Sequence, residues 1–222
     1  MKFAAPRLLL ASASPRRRQL LGQAGYRFEI VAPDVEELAS AALTVREITC
    51  WNALRKGLTV AREYPDAVVL AADTLVSIEG EVIGKPADLA AARSILARLS
   101  GRSHLVATGV FLARLTSGQI ETFAVLSTVF FRRWNRRQID RYLREINPLD
   151  KAGAYAAQGK GRAIVERIAG SRSNVIGLPL EELQPALARF GLTPNELPQP
   201  LAAPSRAAPF SRAAAPGRGT RR

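Results

Sequence analysis

A chain of 222 residues that is 47% hydrophobic, 23% charged and 6% aromatic can bury one sizeable core, as a single domain or two small lobes. Its 32 Lys and Arg stand against 19 Asp and Glu, a net charge of +13, so the expected partner is anionic: nucleic acid, a membrane surface or a phosphorylated small molecule. One cysteine, Cys50, and one histidine, His104, exclude an intramolecular disulfide, a thiolate zinc cluster and a paired-histidine metal site. Any metal must therefore be held by oxygen. Cys50 and His104 are expected as a small buried thiol and an ordinary polar histidine, not a catalytic dyad. No apolar run approaches the roughly 20 residues of a membrane span, and Met1 to Arg7 leads into too short an apolar stretch for a secretory signal. A cytoplasmic protein is the expectation, with no membrane partner.

The elements follow in chain order. Arg7 to Ala11 is a short buried-strand candidate, and Ser14-Pro15 opens a helix with a hydroxyl cap and Pro in its first turn, ending near Gly25. Phe28 to Val31 is a second strand, followed by the acidic turn Asp34-Val35-Glu36-Glu37. Thr44 opens a long helix to about Tyr64, with Val45, Ile48, Trp51 or Asn52, Leu54 or Arg55, and Leu58 on its apolar stripe. Ala67 to Ile78 is a nearly continuous apolar strand with Asp73-Thr74 at its middle, and Glu79-Gly80-Glu81 turns it back into Val82-Ile83. Asp88 to Leu99 is helical. Leu105 to Leu115 and Ile120 to Phe131 form a hairpin about Ser117-Gly118. Further on come an amphipathic helix at Arg136 to Glu145, a short helix at Asp150 to Ala157, a strand at Ala163 to Ile168 and a last helix at Glu181 to Phe190. This order of hairpins and helical crossovers predicts an α/β fold, a mixed twisted β-sheet with helices packed on it.

From about Thr193 the composition turns to Pro, Ala, Arg and Ser. Residues 197 to 222 hold five arginines and no acid, leaving +8 for residues 1 to 196. With little to bury, 197 to 222 reads as a disordered basic tail beside a domain at 1 to 196.

Four segments carry chemistry. Ser12 to Arg18 sits between a strand and a helix, where unpaired backbone N–H groups, two hydroxyls and guanidiniums make a phosphate cradle; the bland alternative is a helix cap followed by solvated charges. Asp73 interrupts an apolar strand, and an unpaired buried carboxylate costs several kcal/mol by order of magnitude. It must meet a cation, a metal or a water to be activated, unless it only caps a turn at a strand end. Glu36 and Glu37 could join Asp73 in an oxygen-only Mg²⁺ or Mn²⁺ site. Lys85, between Gly84 and Pro86, is poised to point an ammonium into a cleft, whereas Lys56 by itself reads as a solvated helix face. The small-residue run Asp150 to Gly159 permits close ligand approach, and Gln158 offers a donor and acceptor pair for a base.

Together the segments resemble one family. Leu9-Leu10-Ala11-Ser12-Ala13-Ser14-Pro15-Arg16-Arg17, Ala72-Asp73-Thr74, Gly84-Lys85-Pro86, Leu99-Ser100-Gly101, Asp150-Lys151-Ala152-Gly153-Ala154-Tyr155 and Val175-Ile176-Gly177-Leu178-Pro179-Leu180 occur in the order found in Maf-type nucleoside triphosphate pyrophosphatases, also called septum formation proteins. The resemblance runs from about Leu8 to Leu192. It implies two lobes around a cleft, as in the Maf and inosine triphosphatase-like fold, and hydrolysis of the α–β phosphate bond with a divalent metal, Mg²⁺ or Mn²⁺. It further implies Asp73 as general base, Ser12, Arg17, Lys56 and Lys85 as triphosphate ligands, and Glu37 with Asp73 at the metal. Arg16, Thr74 and Gln158 match the dTTP/UTP-hydrolysing branch at the positions that set base preference. The chain departs from the family at Arg55 and Gly57, where Glu and Ala usually flank the helix lysine, at Ala156-Ala157, and at Arg172-Ser173-Asn174. A second expectation, from a different class, is a nucleic-acid or partner-binding module that uses the basic tail, Arg132-Arg133, Arg136-Arg137 and Trp134. A homodimer is left open.

Overall fold

The computed structural model describes residues 6–38, 40 and 42–194. The expected tail at 197 to 222 lies outside the described residues. Among the described residues seven strands form one sheet in the order β2-β1-β3-β5-β6-β7, with β4 paired to β3. Strand β1 (Leu8–Leu10) runs parallel to β2 (Glu29–Ile30) and to β3 (Val68–Ile78); β3 pairs antiparallel with β4 (Glu81–Ile83) and β5 (Ser103–Arg114), and β5 with β6 (Gln119–Phe131), which carries β7 (Val165–Ala169). The mixed sheet expected from the sequence is the one observed.

The helices begin where local chemistry starts them. Helix α1 (Pro15–Gln23) is capped by the Ser14 hydroxyl with Pro15 in its first turn, and α2 (Val45–Glu63) by a reciprocal Thr44 and Glu47 pair. Asp88 caps α3 (Leu89–Leu99) and an Asn135–Gln138 box caps α4 (Arg136–Glu145). Helix α6 is Leu180–Arg189. The expected helix at Asp150 to Ala157 is absent: only a tight 3₁₀ turn, Ala152–Ala154, forms there, because Gly153 adopts φ 71° and Ala154 φ 60°, both left-handed. A second 3₁₀ segment, Gly159–Ile164, takes the first two residues of the strand expected from Ala163, so β7 starts at Val165. Short helix α5 (Arg172–Ile176), started by the Ser171 hydroxyl, was not expected.

Strand alternation divides the core. On one face of the sheet Val68, Leu70 and Ala72 of β3 and Val110 and Leu112 of β5 pack with Leu21 and the apolar stripe of α6. On the other face Val69, Ala71, Phe111 and Ala113 pack with Ala53, Val60 and Ala61 of α2. Beyond the middle of β3 a third cluster gathers Val76, Ile78, Leu96 and Leu99 of α3, Tyr142 and Leu143 of α4, and Tyr155. The first two clusters make one lobe and the third another, with β3 and β5 passing through both.

Helix α2 lies unusually close to the sheet at two glycines. A Cβ on Gly57 would overlap the ring of fully buried Phe111, and one on Gly109 would overlap the Thr49 carbonyl and the Cys50 nitrogen. The departure from the family at Gly57 therefore has a packing reason: Phe111 fills the space that a side chain at 57 would take.

Candidate functional site

A cleft of about 590 Å³ opens between the lobes, at the middle of β3. The β1–α1 turn, the Glu37 loop, α2, β3, the loop after β4 and the 150–158 segment all line it. Asp73 and Thr74 are consecutive on β3, so their side chains leave opposite faces of the sheet. Asp73 meets α2, and Thr74 meets α1 and α5.

The Asp73 carboxylate is buried, with one donor on each oxygen. Lys56 Nζ lies 2.7 Å from Asp73 Oδ1, and Asn52 Nδ2 donates to Asp73 Oδ2 at 3.1 Å. Lys56 also donates to Glu37 Oε1 at 2.6 Å. The Lys56 side chain is only 13% exposed, so it is no solvated helix face; it is the cation between two acids. Asn52 and Lys56, four residues apart, share one side of α2. Asn52 is itself locked, accepting from Leu38 N at 2.7 Å and donating to Leu38 O at 3.2 Å. Arg55 donates to Glu36 O at 2.8 Å, so the second departure beside Lys56 ties down the loop that carries Glu37. Burial works to raise the pKa of Glu37, but the hydrogen bond and charge of Lys56, with Lys85 and Arg17 beyond it, bring it below the usual carboxylate range.

On the other face Arg17 organises the cradle. Its guanidinium donates to Ser12 Oγ at 3.1 Å, Thr74 Oγ1 at 3.1 Å and Gly177 O at 2.9 Å. Burial lowers its pKa against the pull of Asp73, yet a guanidinium so placed keeps its proton. The N-terminus of α1 opens onto the same space, where its partial positive charge favours an anion. Arg16 reaches across the cleft mouth to Asp150, contacting Oδ2 at 3.0 Å and the carbonyl at 3.1 Å. Burial pushes the Asp150 carboxyl up, and Lys151 and Arg16 together more than reverse it. Exposed Lys85 and half-buried Gln158 line the cleft from the second lobe. All eight residues singled out by the sequence for substrate or proton chemistry, with Glu37, thus converge on one cavity.

Three contributors were not singled out. The helix stripe read from the sequence admits either Trp51 or Asn52; the structure buries Asn52 and leaves Trp51 exposed. An amide one turn before Lys56 was the available signal. Asp150, the Arg16 partner, and Thr108, a fully buried hydroxyl opposite Thr74 on β5, were also unassigned. Glu37 and Asp73 are the two carboxylates that converge on one cation position, and no group of three or more His, Cys, Asp or Glu able to hold a metal occurs among the described residues. Two carboxylates suit a hard cation that takes its remaining oxygens from phosphates and water.

The features behind the binding-module expectation fare differently. Arg132, Arg133, Arg136 and Arg137 are exposed, but Trp134 is half-buried, with its ring edge-on to Tyr142 at 5.4 Å. The aromatic needed for base stacking is used in the fold. Among the described residues no helix is long and apolar enough to cross a membrane.

His104 is not the ordinary polar histidine expected. It is buried, 3.0 Å from the Tyr155 hydroxyl through Nε2 and edge-on to Phe131, and burial pushes its pKa down to about 4. The unfolded chain therefore binds one more proton between the ordinary value of 6.5 and about 4. The stability this imidazole supplies is full above that window and lost through it as pH falls, by up to about 1.4 kcal/mol per unit. His104→Gln should remove one proton from the slope of urea stability against pH across that interval. An unaltered slope would mean the ring is not held neutral.

Residues 7–190 match the family model described as Maf-like protein. A dTTP/UTP pyrophosphatase of Symbiobacterium thermophilum is 48% identical over 185 residues, covering 83% of this chain and 94% of that protein. Proteins of the same description from Myxococcus xanthus and Dictyoglomus turgidum are 46% and 45% identical, over 83% of this chain and 93% and 96% of their own lengths. The solved structure of a HAM1 protein from Coxiella burnetii has the same fold, with a TM-score of 0.52 at 18% identity over 83% of this chain and 99% of that one. With a family model spanning most of the sequence and relatives this similar along nearly their whole length, the chain belongs to the Maf-like protein family.

Proposed function

We propose that this chain is a nucleoside triphosphate pyrophosphatase that hydrolyses dTTP and UTP to the monophosphate and pyrophosphate. One observation carries the reading: a buried carboxylate, Asp73, is held by Lys56 and Asn52 in the wall of a cleft whose other walls bring Arg17, Lys85 and the N-terminus of α1. The obstacle to hydrolysis is charge, since a triphosphate repels an incoming hydroxide. Arg17, Lys56, Lys85 and Ser12 hold and neutralise phosphate oxygens. Asp73 takes a proton from the attacking water, whose oxygen bonds to the α-phosphorus as the bridging bond breaks and pyrophosphate leaves. Glu37 and Asp73 would hold a divalent cation such as Mg²⁺ or Mn²⁺, which supplies further charge neutralisation when bound. Arg16, Thr74 and Gln158 read the base. The names of the similar enzymes support the pyrimidine substrate, and the match of these three residues to that branch supports it further.

Pyrophosphate release measured across dTTP, UTP, CTP and 7-methyl-GTP, with Mg²⁺, with Mn²⁺ and with a chelator, tests the reading. dTTP and UTP should turn over fastest, and chelation should abolish release. Preference for the methylated purine would contradict it, as would full activity in chelator.

A further inference from the structure

Thr108 lies directly opposite Thr74 on β5, fully buried and outside the cleft lining. A line of hydrogen bonds passes through the two. Arg17 Nη2 donates to Thr74 Oγ1 at 3.1 Å, the threonine hydroxyls are 3.0 Å apart, and Thr108 Oγ1 is 3.0 Å from the Asn174 carbonyl. A guanidinium cannot accept and a carbonyl cannot donate, so both ends of the line have fixed roles. Each hydroxyl has a single proton. Thr108 gives its proton to Asn174 O, and Thr74 gives its own to Thr108. In the reverse order Thr108 would give up its bond to the Asn174 carbonyl and the Thr74 proton would turn out of the line, so the line would hold one hydrogen bond fewer. Asn174 itself cannot shift, because its side-chain amide donates to Val106 O at 3.2 Å and to Ser127 Oγ at 2.9 Å. With its proton engaged and one lone pair on Arg17, Thr74 shows the cleft one remaining lone pair. It is an acceptor only.

We propose that Thr108 fixes the hydrogen-bond polarity of Thr74 and so makes the cleft select 4-oxopyrimidine nucleotides, whose ring N3 carries a proton, over cytosine nucleotides, whose ring N3 is a bare acceptor. The proposal rests on the pyrophosphatase reading above. Uracil and thymine present acceptor, donor, acceptor along their pairing edge; cytosine presents a donor and two acceptors. Gln158, which lines the same cleft, carries both a donor and an acceptor on one amide and matches either base by turning over. The choice needs a group that cannot turn. Thr74 is that group as long as Thr108 holds its proton, and an acceptor facing the cytosine N3 leaves two lone pairs opposed. Thr108 is a positioning residue here, acting on the ligand only through Thr74.

Replacing Thr108 with valine keeps the volume and removes the hydroxyl, and the Asn174 carbonyl keeps the Gly177 N–H at 2.9 Å, so no buried acceptor is orphaned. The experiment measures kcat and KM for UTP and CTP with Mg²⁺ on the full chain, unaltered and as Thr108→Val and Thr108→Ser, with a thermal melt of each. The unaltered chain should favour UTP. In Thr108→Val the freed Thr74 proton can swing into the cleft, and the UTP:CTP ratio of kcat/KM should fall about two- to tenfold, mainly through KM. Thr108→Ser should restore it. A purely structural role would lower both substrates together and leave the ratio where it was. An unchanged ratio in folded Thr108→Val overturns the proposal, as does an unaltered chain indifferent between UTP and CTP, while hydrolysis itself would still stand. Failure of the unaltered chain to hydrolyse any nucleoside triphosphate overturns the reading beneath it as well. Should the valine variant not fold, Thr108→Ala carries the same comparison.

Discussion

Asp73→Asn lowers kcat for dTTP by about 10²- to 10⁴-fold, the span over which a positioned general base acts. KM should not rise, because the substitution removes a negative charge from a site that binds a polyanion. The change is nearly isosteric, but its surroundings do not rearrange freely. Asn52 cannot turn its amide, since Leu38 holds both ends of it, so Asn52 Nδ2 must still donate toward position 73. Lys56 makes the same demand from the other side. One amide oxygen has to serve two donors, and some stability is lost with the activity. Steady-state kinetics beside a urea titration separate the two effects. A folded variant that keeps kcat within about threefold of the unaltered chain would remove Asp73 from the role of base.

Gly109→Ala has the largest expected effect on stability, about 3 kcal/mol or more. Gly109 pairs with Asp73 across the β3–β5 ladder, and a Cβ there would overlap the backbone of α2 at Thr49 and Cys50. A side chain can rotate away from such a clash, but a helix backbone cannot, so α2 must move off the sheet. Asn52 and Lys56 ride on that helix within two turns of the contact, so their grip on Asp73 loosens as α2 retreats. Both the urea midpoint and pyrophosphatase activity should fall. Gly22→Ala is the matched control: nothing lies within 4 Å of a Cβ built there, and the position is helical. It should leave activity intact and raise stability by up to about 1 kcal/mol. Equal midpoints for the two variants would show that the close approach at Gly109 is not a constraint.

The sequence disclosed most of the strands and long helices because their signals are local: Ser14-Pro15 and Thr44 with Glu47 start helices, and apolar runs broken by Gly-containing turns mark β3 to β6. It misread 150 to 157 because the alanines there favour a helix by propensity, whereas the chain takes two left-handed residues in succession, Gly153 and Ala154, at a turn packed beside Tyr155 and Val76. Helix α5 escaped notice because five residues are too few to display a period. At the site, Asp73 stood out as an acid in an apolar strand. Lys56 did not, because its surroundings are made by residues 17 and 19 positions away, on other elements. The Arg16–Asp150 pair and the Thr108–Asn174 bond join residues 134 and 66 apart, and only the assembled sheet brings them together.

The alternation of a single strand places Asp73 and Thr74 back to back, one toward α2 and the other toward α1 and α5. The water-activating acid and the base-facing hydroxyl thereby stand on opposite sides of one strand, with Arg17, bonded to Thr74 and facing the phosphates in the proposed reading, as the link between them. A descendant of this chain could trade its preferred nucleotide by changing residues around Thr74 while inheriting the water-activating side untouched. Diversification of substrate in this architecture need not begin by rebuilding its chemistry.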